Sequence, residues 1–517
     1  MVKNMIKKTQ EKLTQFHAQY QRHYIWLILA VAVFNRFTGL VRRDFWYDEA
    51  FTGVAVKENF RSMISMIIND VHPPLYYVAL KVFASFFDYS VFGIRLFSAI
   101  FGVAAVWALY LLAKELFSRK VGLYAAIVAT ISPFAIQYSQ EARMYTMLVF
   151  LILISAYFFV KGLQTKEKKY FALWGFFTGL SMLTHYMGVI FSATYYGVFV
   201  AWGIFSLNWS QLKSFQQKIR ALVGKILPTK EIFLGYGVTF LVFLPWLKMF
   251  LHHISIKGNN LSWVKPASFG DIVVNIQMFL FGTPLGEMSS GMPQPNELVG
   301  ISHLSIRMVL AMMFGIGIVY LMRKEKMKKV VSLLIFSIGF MFIIYGLSAT
   351  MPDQQYFVAR YLLPAAYFVF LFIGLWLSRL RTWIVIVVMA LYLGLISLTV
   401  PLANSKGYNE MILHMDKYKD NNFYILNAFD YVITKYYLGA NRLTLYNYDW
   451  PQYNPAYWAA VGPELKRTED YEDLRNDPKA LIISNKALNR DNQYFSTQGL
   501  VLVDKYNNIL IYKFEKN

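Results

Sequence analysis

Asp44, Asp48, Glu49, Glu58, Asp70 and His72 crowd into one stretch directly after the first apolar run, in a sequence that otherwise keeps acids away from its apolar segments. Ionisable groups gathered beside a bilayer are costly unless they do chemistry or bind an ion, so this stretch is the default functional site. It reads DFWYDEA over 44–50, then an amphipathic run, then DVHPPLYY over 70–77. A second set of polar groups lies between later apolar runs: Glu141, Arg143 and Tyr145, then His185 and Tyr186, then Asp353, Arg360 and Tyr361. One or two carboxylates facing several cations suit a transfer reaction with a phosphate leaving group. The carboxylate takes the proton from an attacking hydroxyl, and the fixed positive charge holds the departing phosphate.

Such groups must be carried by membrane spans. The chain has 517 residues, is 56% hydrophobic and 18% aromatic, and has only 16% charged residues, which is far from the balance of a soluble domain. Apolar runs long enough to cross a hydrocarbon core of about 30 Å fall near 24–41, 91–112, 121–138, 144–163, 171–186, 187–206, 232–251, 304–322, 330–349, 361–378 and 383–402. The expected fold is therefore a polytopic α-helical membrane protein with about eleven spans. Basic residues concentrate in alternate connections: the N-terminal tail, 113–120, 161–170, 207–230, 323–329 and 379–381. By the positive-inside rule these are cytoplasmic, which puts 42–90, 139–143, the Tyr186 turn, 252–303, 350–360 and everything after 403 outside. The segment 73–87 is apolar enough to suggest another crossing, but that would reverse every later loop. It reads as a short helix in the outer interface, started by Pro73-Pro74.

The tail 404–517 holds 14 basic and 14 acidic residues, leaving 37 and 16 in 1–403, so all of the net charge of +21 belongs to the membrane part. Those cations sit in short loops and form no continuous stripe, which argues against nucleic-acid binding. The absence of cysteine excludes disulfides and thiolate chemistry. Within 404–517, strand-like FYILNA, LTLYNY and ALIISN alternate with helical patterns and end in LVLVDKYNNILIYKF, a hairpin turning at Asn507-Asn508. The expected division is a membrane catalytic domain, 1–403, and a small exterior α/β domain, 404–517. The first exterior loop, 42–90, carries the catalytic acid, and 252–303 forms a second long exterior loop. The N-terminal tail has no small-residue cleavage site after its first apolar run, so that run is expected to be a retained span.

WYDEA (46–50), HPPLYY (72–77), RLFSAIFG (95–102), SQEARMY (139–145), THY (184–186), the SWVKPAS loop (262–268) and ARYLLPA (359–365) occur in this order. Together they resemble the GT-C membrane glycosyltransferases of the protein O-mannosyltransferase and aminoarabinose-transferase superfamily (glycosyltransferase family 39, PMT_2 type), over roughly residues 20–400. The resemblance implies a polyprenyl-phosphate sugar as donor, transfer to a hydroxyl on the outer face of the plasma membrane, and Asp48 as general base. It places Glu49 as the second acid of the pair and His72 where relatives carry a group that approaches the phosphate.

Arg143, Tyr145, Arg360, Tyr361, His185 and Glu141 are the expected donor-phosphate and substrate-binding residues. Displacement by an activated hydroxyl predicts inversion at the anomeric carbon. No alternating D-x-D or E-x-D pair appears, and no required metal is expected. The acceptor hydroxyl belongs to a protein, a glycolipid or a cell-wall polymer; no nucleic acid is involved. Each residue also has a plainer reading. Asp48 and Glu49 suit a loop face or helix cap, His72 a cap on the Pro-Pro helix, and Arg143 and Arg360 headgroup anchors. Glu141 suits a structural partner of Arg143, and His185 a packed histidine. The competing function is a transporter or flippase of a lipid-linked saccharide, which would place charges and internal repeats near the bilayer midplane.

Overall fold

The computed structural model describes residues 23–207, 211, 214–255, 266–282, 315–350, 356–399, 407–426, 428–446, 466–468, 471–484, 500–507 and 509–515. The N-terminal tail, most of the 252–303 loop with Trp263 to Lys265, Asp353 and Asn508 lie outside them.

Helix α1 (Tyr24–Phe37) is followed by three short helices: α2 (Tyr47–Lys57), α3 (Phe60–Asn69) and α4 (Leu75–Ala84), the last extended by a 3-10 turn to Phe87. The bundle continues with α5 (Val91–Leu116), α6 (Arg119–Ile131), α7 (Pro133–Ser139), α8 (Tyr145–Thr165), α9 (Lys168–Thr184), α10 (Met187–Ile204), α11 (Phe215–Ile226), α12 (Lys230–Ser255) and α13 (Gly270–Phe281). After these come α14 (315–324), α15 (Met327–Thr350, with a π-helical turn at Ile335–Gly339), α16 (Leu363–Leu377, led by a 3-10 turn from Ala359) and α17 (Thr382–Thr399).

Among the described residues six helical segments are long and apolar enough to cross a membrane: Val91–Leu116, Tyr145–Thr165, Met187–Ile204, Phe215–Ser255, Met327–Thr350 and Ala359–Leu377. The bent pair α6–α7 would make a seventh. The multi-pass fold is as expected, but eleven spans are not reproduced. Helices α1 and α9, with 14 and 17 residues, reach only about 21 and 25 Å at 1.5 Å per residue, short of the core thickness. Part of the expected span 304–322 lies outside the described residues. The segment 75–87 is too short to cross.

Two local features aim the loops. Pro133 has no N–H to continue α6 and holds Ser132 extended, so α7 leaves at 66° to α6. The carbonyls freed at this break are taken by fully buried Arg36, which donates to Ala129 O at 2.8 Å and Thr130 O at 3.4 Å, and to Ser139 Oγ at 3.2 Å. A guanidinium at a helix C-terminus is also favoured by the helix dipole. The second feature ends α3. His72 N donates to Ile67 O and Val71 N to Ile68 O, a Schellman closure whose left-handed position is held by Val71 at φ 58°. Glycine is usual there; a β-branched residue costs about 1–2 kcal/mol, and the result is that His72 turns back toward Asp70.

The chain beyond 406 forms α18 (Tyr408–Leu413), β1 (Asn422–Ile425), α19 (Ala428–Leu438), β2 (Leu443–Tyr446), β3 (Lys466–Thr468), α20 (Tyr471–Asn476), β4 (Ala480–Ser484), β5 (Leu500–Tyr506) and β6 (Ile509–Phe514). They make one sheet in the order β3-β2-β1-β4-β6-β5. β1 to β4 pair in parallel, and the expected β5–β6 hairpin closes one edge antiparallel. β3 and α20 carried no legible pattern in the sequence.

Candidate active site

Asp48 and Glu49 occupy the first turn of α2, where the exposed N–H groups and the helix dipole favour acids. Asp48 Oδ2 accepts a hydrogen bond from Arg360 Nη1 at 2.8 Å. Asp48 is half-buried and Arg360 is buried, with its guanidinium over the Trp46 and Tyr361 rings at 5.7 and 5.6 Å. The two residues are 312 positions apart in the chain, so the fold alone makes this pair.

Arg143 is the hub. Its Nη1 donates to Asp48 O and Thr52 Oγ1, each at 3.2 Å, and to Tyr77 OH at 3.3 Å. Its Nη2 lies 3.1 Å from His72 Nε2. A guanidinium has only donors, so His72 Nε2 accepts and the imidazole proton sits on Nδ1, facing the Asp70 carboxylate at 3.0 Å. His72 therefore orients Arg143 in this state. Among the described residues Arg143 Nε is buried with no hydrogen-bond partner. Burial alone would lower the affinity of this guanidinium for its proton, but Tyr77 and Asp48 outweigh it and the proton is held more firmly than usual.

His185 Nδ1 accepts from Met187 N at 3.1 Å, which leaves the ring proton on Nε2. Burial, then the nearby His72, Arg143 and Arg360, push this imidazole well below its usual range, so it is neutral at pH 7. Its ring centroid lies 5.0 Å from Tyr361, 5.8 Å from Tyr145 and 6.1 Å from His72. Thus Asp48, His72, Arg143, Tyr145, His185, Arg360 and Tyr361, expected from four separate loops, converge at one end of the bundle.

Glu49, expected beside Asp48 as a second catalytic acid, lies buried in an ion pair with Arg95. Arg95 Nε and Nη2 grip its two oxygens at 2.7 and 2.6 Å, and Ala142 N donates to Oε1 at 2.9 Å. Successive helical residues point about 100° apart, so the adjacent acids face different neighbours. Among the described residues Glu141, read alternatively as a partner of Arg143, forms no ion pair with it, and its buried Oε2 has no hydrogen-bond partner. Three or more His, Asp or Glu side chains that could hold a metal ion are not found together among the described residues.

Residues 71–248 match the family model described as dolichyl-phosphate-mannose-protein mannosyltransferase, PMT_2. That segment, about a third of the chain, is similar to the PMT_2 family. The fold is similar to that of ArnT from Cupriavidus metallidurans in two crystal structures. The one bound to undecaprenyl phosphate superposes with TM-score 0.60 at 12% identity, covering 95% of this chain and 98% of that one. The apo form gives 0.59 at 12% identity with the same coverage. No curated protein sequence matches this chain.

Several residues that build this site were not singled out from sequence. Arg95 is a lone cation inside the apolar start of α5, and that isolation was the available signal. Thr52 gives none, and Tyr77 ends the HPPLYY motif but was assigned no role of its own. Asp44, grouped with the site acids by sequence, caps α18 in the C-terminal domain, accepting from Tyr408 N at 2.7 Å and Asn409 N at 3.0 Å.

Glu141 gives the protein a pH signature. Burial, then Glu49, push its carboxyl up to about 8, against the pull of Arg360. The folded chain therefore holds this proton more tightly than the unfolded chain. The stabilisation is complete below the ordinary carboxylate range and is lost as pH rises toward about 8. Thermal unfolding in detergent from pH 5 to 8.5 is expected to show a falling Tm for the wild type and a flatter profile for Glu141→Gln. Parallel profiles would refute this.

Proposed function

We propose that the protein transfers a sugar from a polyprenyl-phosphate donor to an acceptor hydroxyl at the outer face of the membrane, with Asp48 as general base and inversion at the anomeric carbon. The observation that carries this reading is the Asp48 carboxylate held 2.8 Å from Arg360 while Arg143 grips the same residue's backbone carbonyl. In the reaction, Asp48 takes the proton of the attacking hydroxyl and the acceptor oxygen bonds to the anomeric carbon. The bond from that carbon to the phosphate oxygen breaks, and its electron pair leaves with the phosphate. Arg143 and Arg360 neutralise the charge that develops there, and neutral His185 offers its Nε2 proton as a hydrogen bond. Tyr145 and Tyr361 flank the sugar, Glu49 holds the loop that carries Arg143, and His72 sets the Arg143 guanidinium plane.

The donor class is supported by the dolichyl-phosphate-mannose description of the matched family and by undecaprenyl phosphate in a protein of the same fold. The outer face is supported by the basic alternate connections, which leave the site loops on the opposite side. The test is transfer from a panel of radiolabelled polyprenyl-phosphate sugars by purified protein, with product stereochemistry read by NMR. Consumption of one donor with inversion is expected. A retained configuration would remove direct displacement, and no consumption of any donor would favour the transporter reading.

A further inference from the structure

The face of α2 turned away from the site is covered by the C-terminal domain. Asp48 and Thr52 lie one turn apart on the side of Arg143; Gly53 and Lys57 lie one turn apart about 140° around the helix. Against Gly53 sits Tyr436 of α19, so close that a Cβ on Gly53 would stand 2.5 Å from the Tyr436 ring and 3.2 Å from the Phe45 ring. An added methyl there would force either the ring or the helix to shift.

The tyrosine is itself fixed on three sides. Its hydroxyl donates to Tyr89 O at 2.9 Å, Lys57 Nζ donates to its carbonyl at 2.9 Å, and the same ammonium sits 3.9 Å over the centre of its ring. The neighbouring Tyr437 OH accepts from Phe45 N at 2.9 Å, and the Asp44 carboxylate caps α18. Helix α2 is thus pinned before its first turn, along its outer face and at its last residue by the C-terminal domain. Its inner face presents Asp48 to Arg360.

We propose that Tyr436 is a positioning residue for Asp48, acting through α2, and that the C-terminal domain is in this way part of the catalytic unit. The inference rests on the reading of Asp48 as the base. A helix wedged between a rigid tyrosine and the reacting groups fixes the distance from the carboxylate to the acceptor proton, and misplacement by about 1 Å costs about 100-fold in rate.

The test uses the full-length enzyme in detergent with a competent donor. Gly53→Ala pushes α2 inward and Tyr436→Ala removes its backing, so each is expected to lower kcat about 10- to 100-fold with the donor KM unchanged. Gly53→Ala combined with Tyr436→Leu is expected to be faster than Gly53→Ala, because the added methyl then lies where the ring stood. Tyr436→Phe, which keeps the ring, should retain most of the rate.

A wild-type kcat per folded molecule in Gly53→Ala, or a double variant no faster than it, would overturn the inference. Loss of folded protein without loss of specific rate would do the same. Should Gly53→Ala yield no folded protein, Tyr436→Ala is read by the same criteria. Failure of the parent reading is distinct, since Asp48→Asn would then keep the wild-type rate.

Discussion

Replacing Asp48 by asparagine is expected to lower kcat by about 10²- to 10⁴-fold, the usual contribution of a positioned general base. Asparagine has the size of aspartate, and its Oδ1 still accepts from Arg360, so the packing of α2 changes little. On the proposed mechanism the change removes the group that takes up the acceptor's proton. It also leaves the Arg360 guanidinium without its counter-charge, which tightens the hold on the donor phosphate. The donor KM is therefore expected to stay level or fall while kcat collapses. Rates of donor consumption by purified wild type and variant, with thermal unfolding as the control for folding, decide the matter. A variant keeping more than about a tenth of the wild-type rate would exclude Asp48 as the base.

The second large effect concerns stability. Arg95→Met is expected to destabilise the protein by about 3–5 kcal/mol, because it leaves the Glu49 carboxylate buried with no ion partner. The pair is bidentate and almost completely removed from solvent, and Arg95 also donates to Leu40 O, Arg43 O and Asp44 O. It therefore closes the loop between α1 and α2 as well as anchoring Glu49. Removing both charges with Glu49→Leu/Arg95→Met is expected to recover part of the loss, since an apolar pair of similar volume often replaces a buried ion pair without penalty. Activity should not return with stability. Ala142 N loses its acceptor on Glu49, and the loop that holds Arg143 is released. Thermal unfolding and transfer assays on the three proteins test both halves; a double variant no more stable than Arg95→Met would contradict the pair's role.

Much of this site could be read along the chain because membrane proteins make charge expensive. Asp48, His72, Arg143, His185 and Arg360 stand out against apolar runs, and the alternation of basic loops assigns all five to one side of the bundle. Crossing counts were less legible. A run of apolar residues shows that a segment can live in lipid, yet α1 and α9 end early, at Thr38 and His185, where the backbone turns extended. The alternation of strand and helix in the C-terminal domain was visible because period-2 and period-3.6 patterns are local. β3 and α20 are short and polar and carry no such pattern.

Residue type and spacing alone determined that this chain crosses membranes, that one face of it gathers acids and cations suited to phosphate departure, and that a small α/β domain follows. They left Asp48 and Glu49 equivalent. Only the tertiary structure separated them, because the angular step of a helix sends one carboxylate to Arg360 at the site and the other to Arg95 in the core. In the same way Asp44 became a fastening for the C-terminal domain, and Tyr436 a wall behind α2. Local sequence records which groups can ionise; which partner each one meets depends on residues tens to hundreds of positions away, and that partner decides whether a charge reacts or holds the fold together.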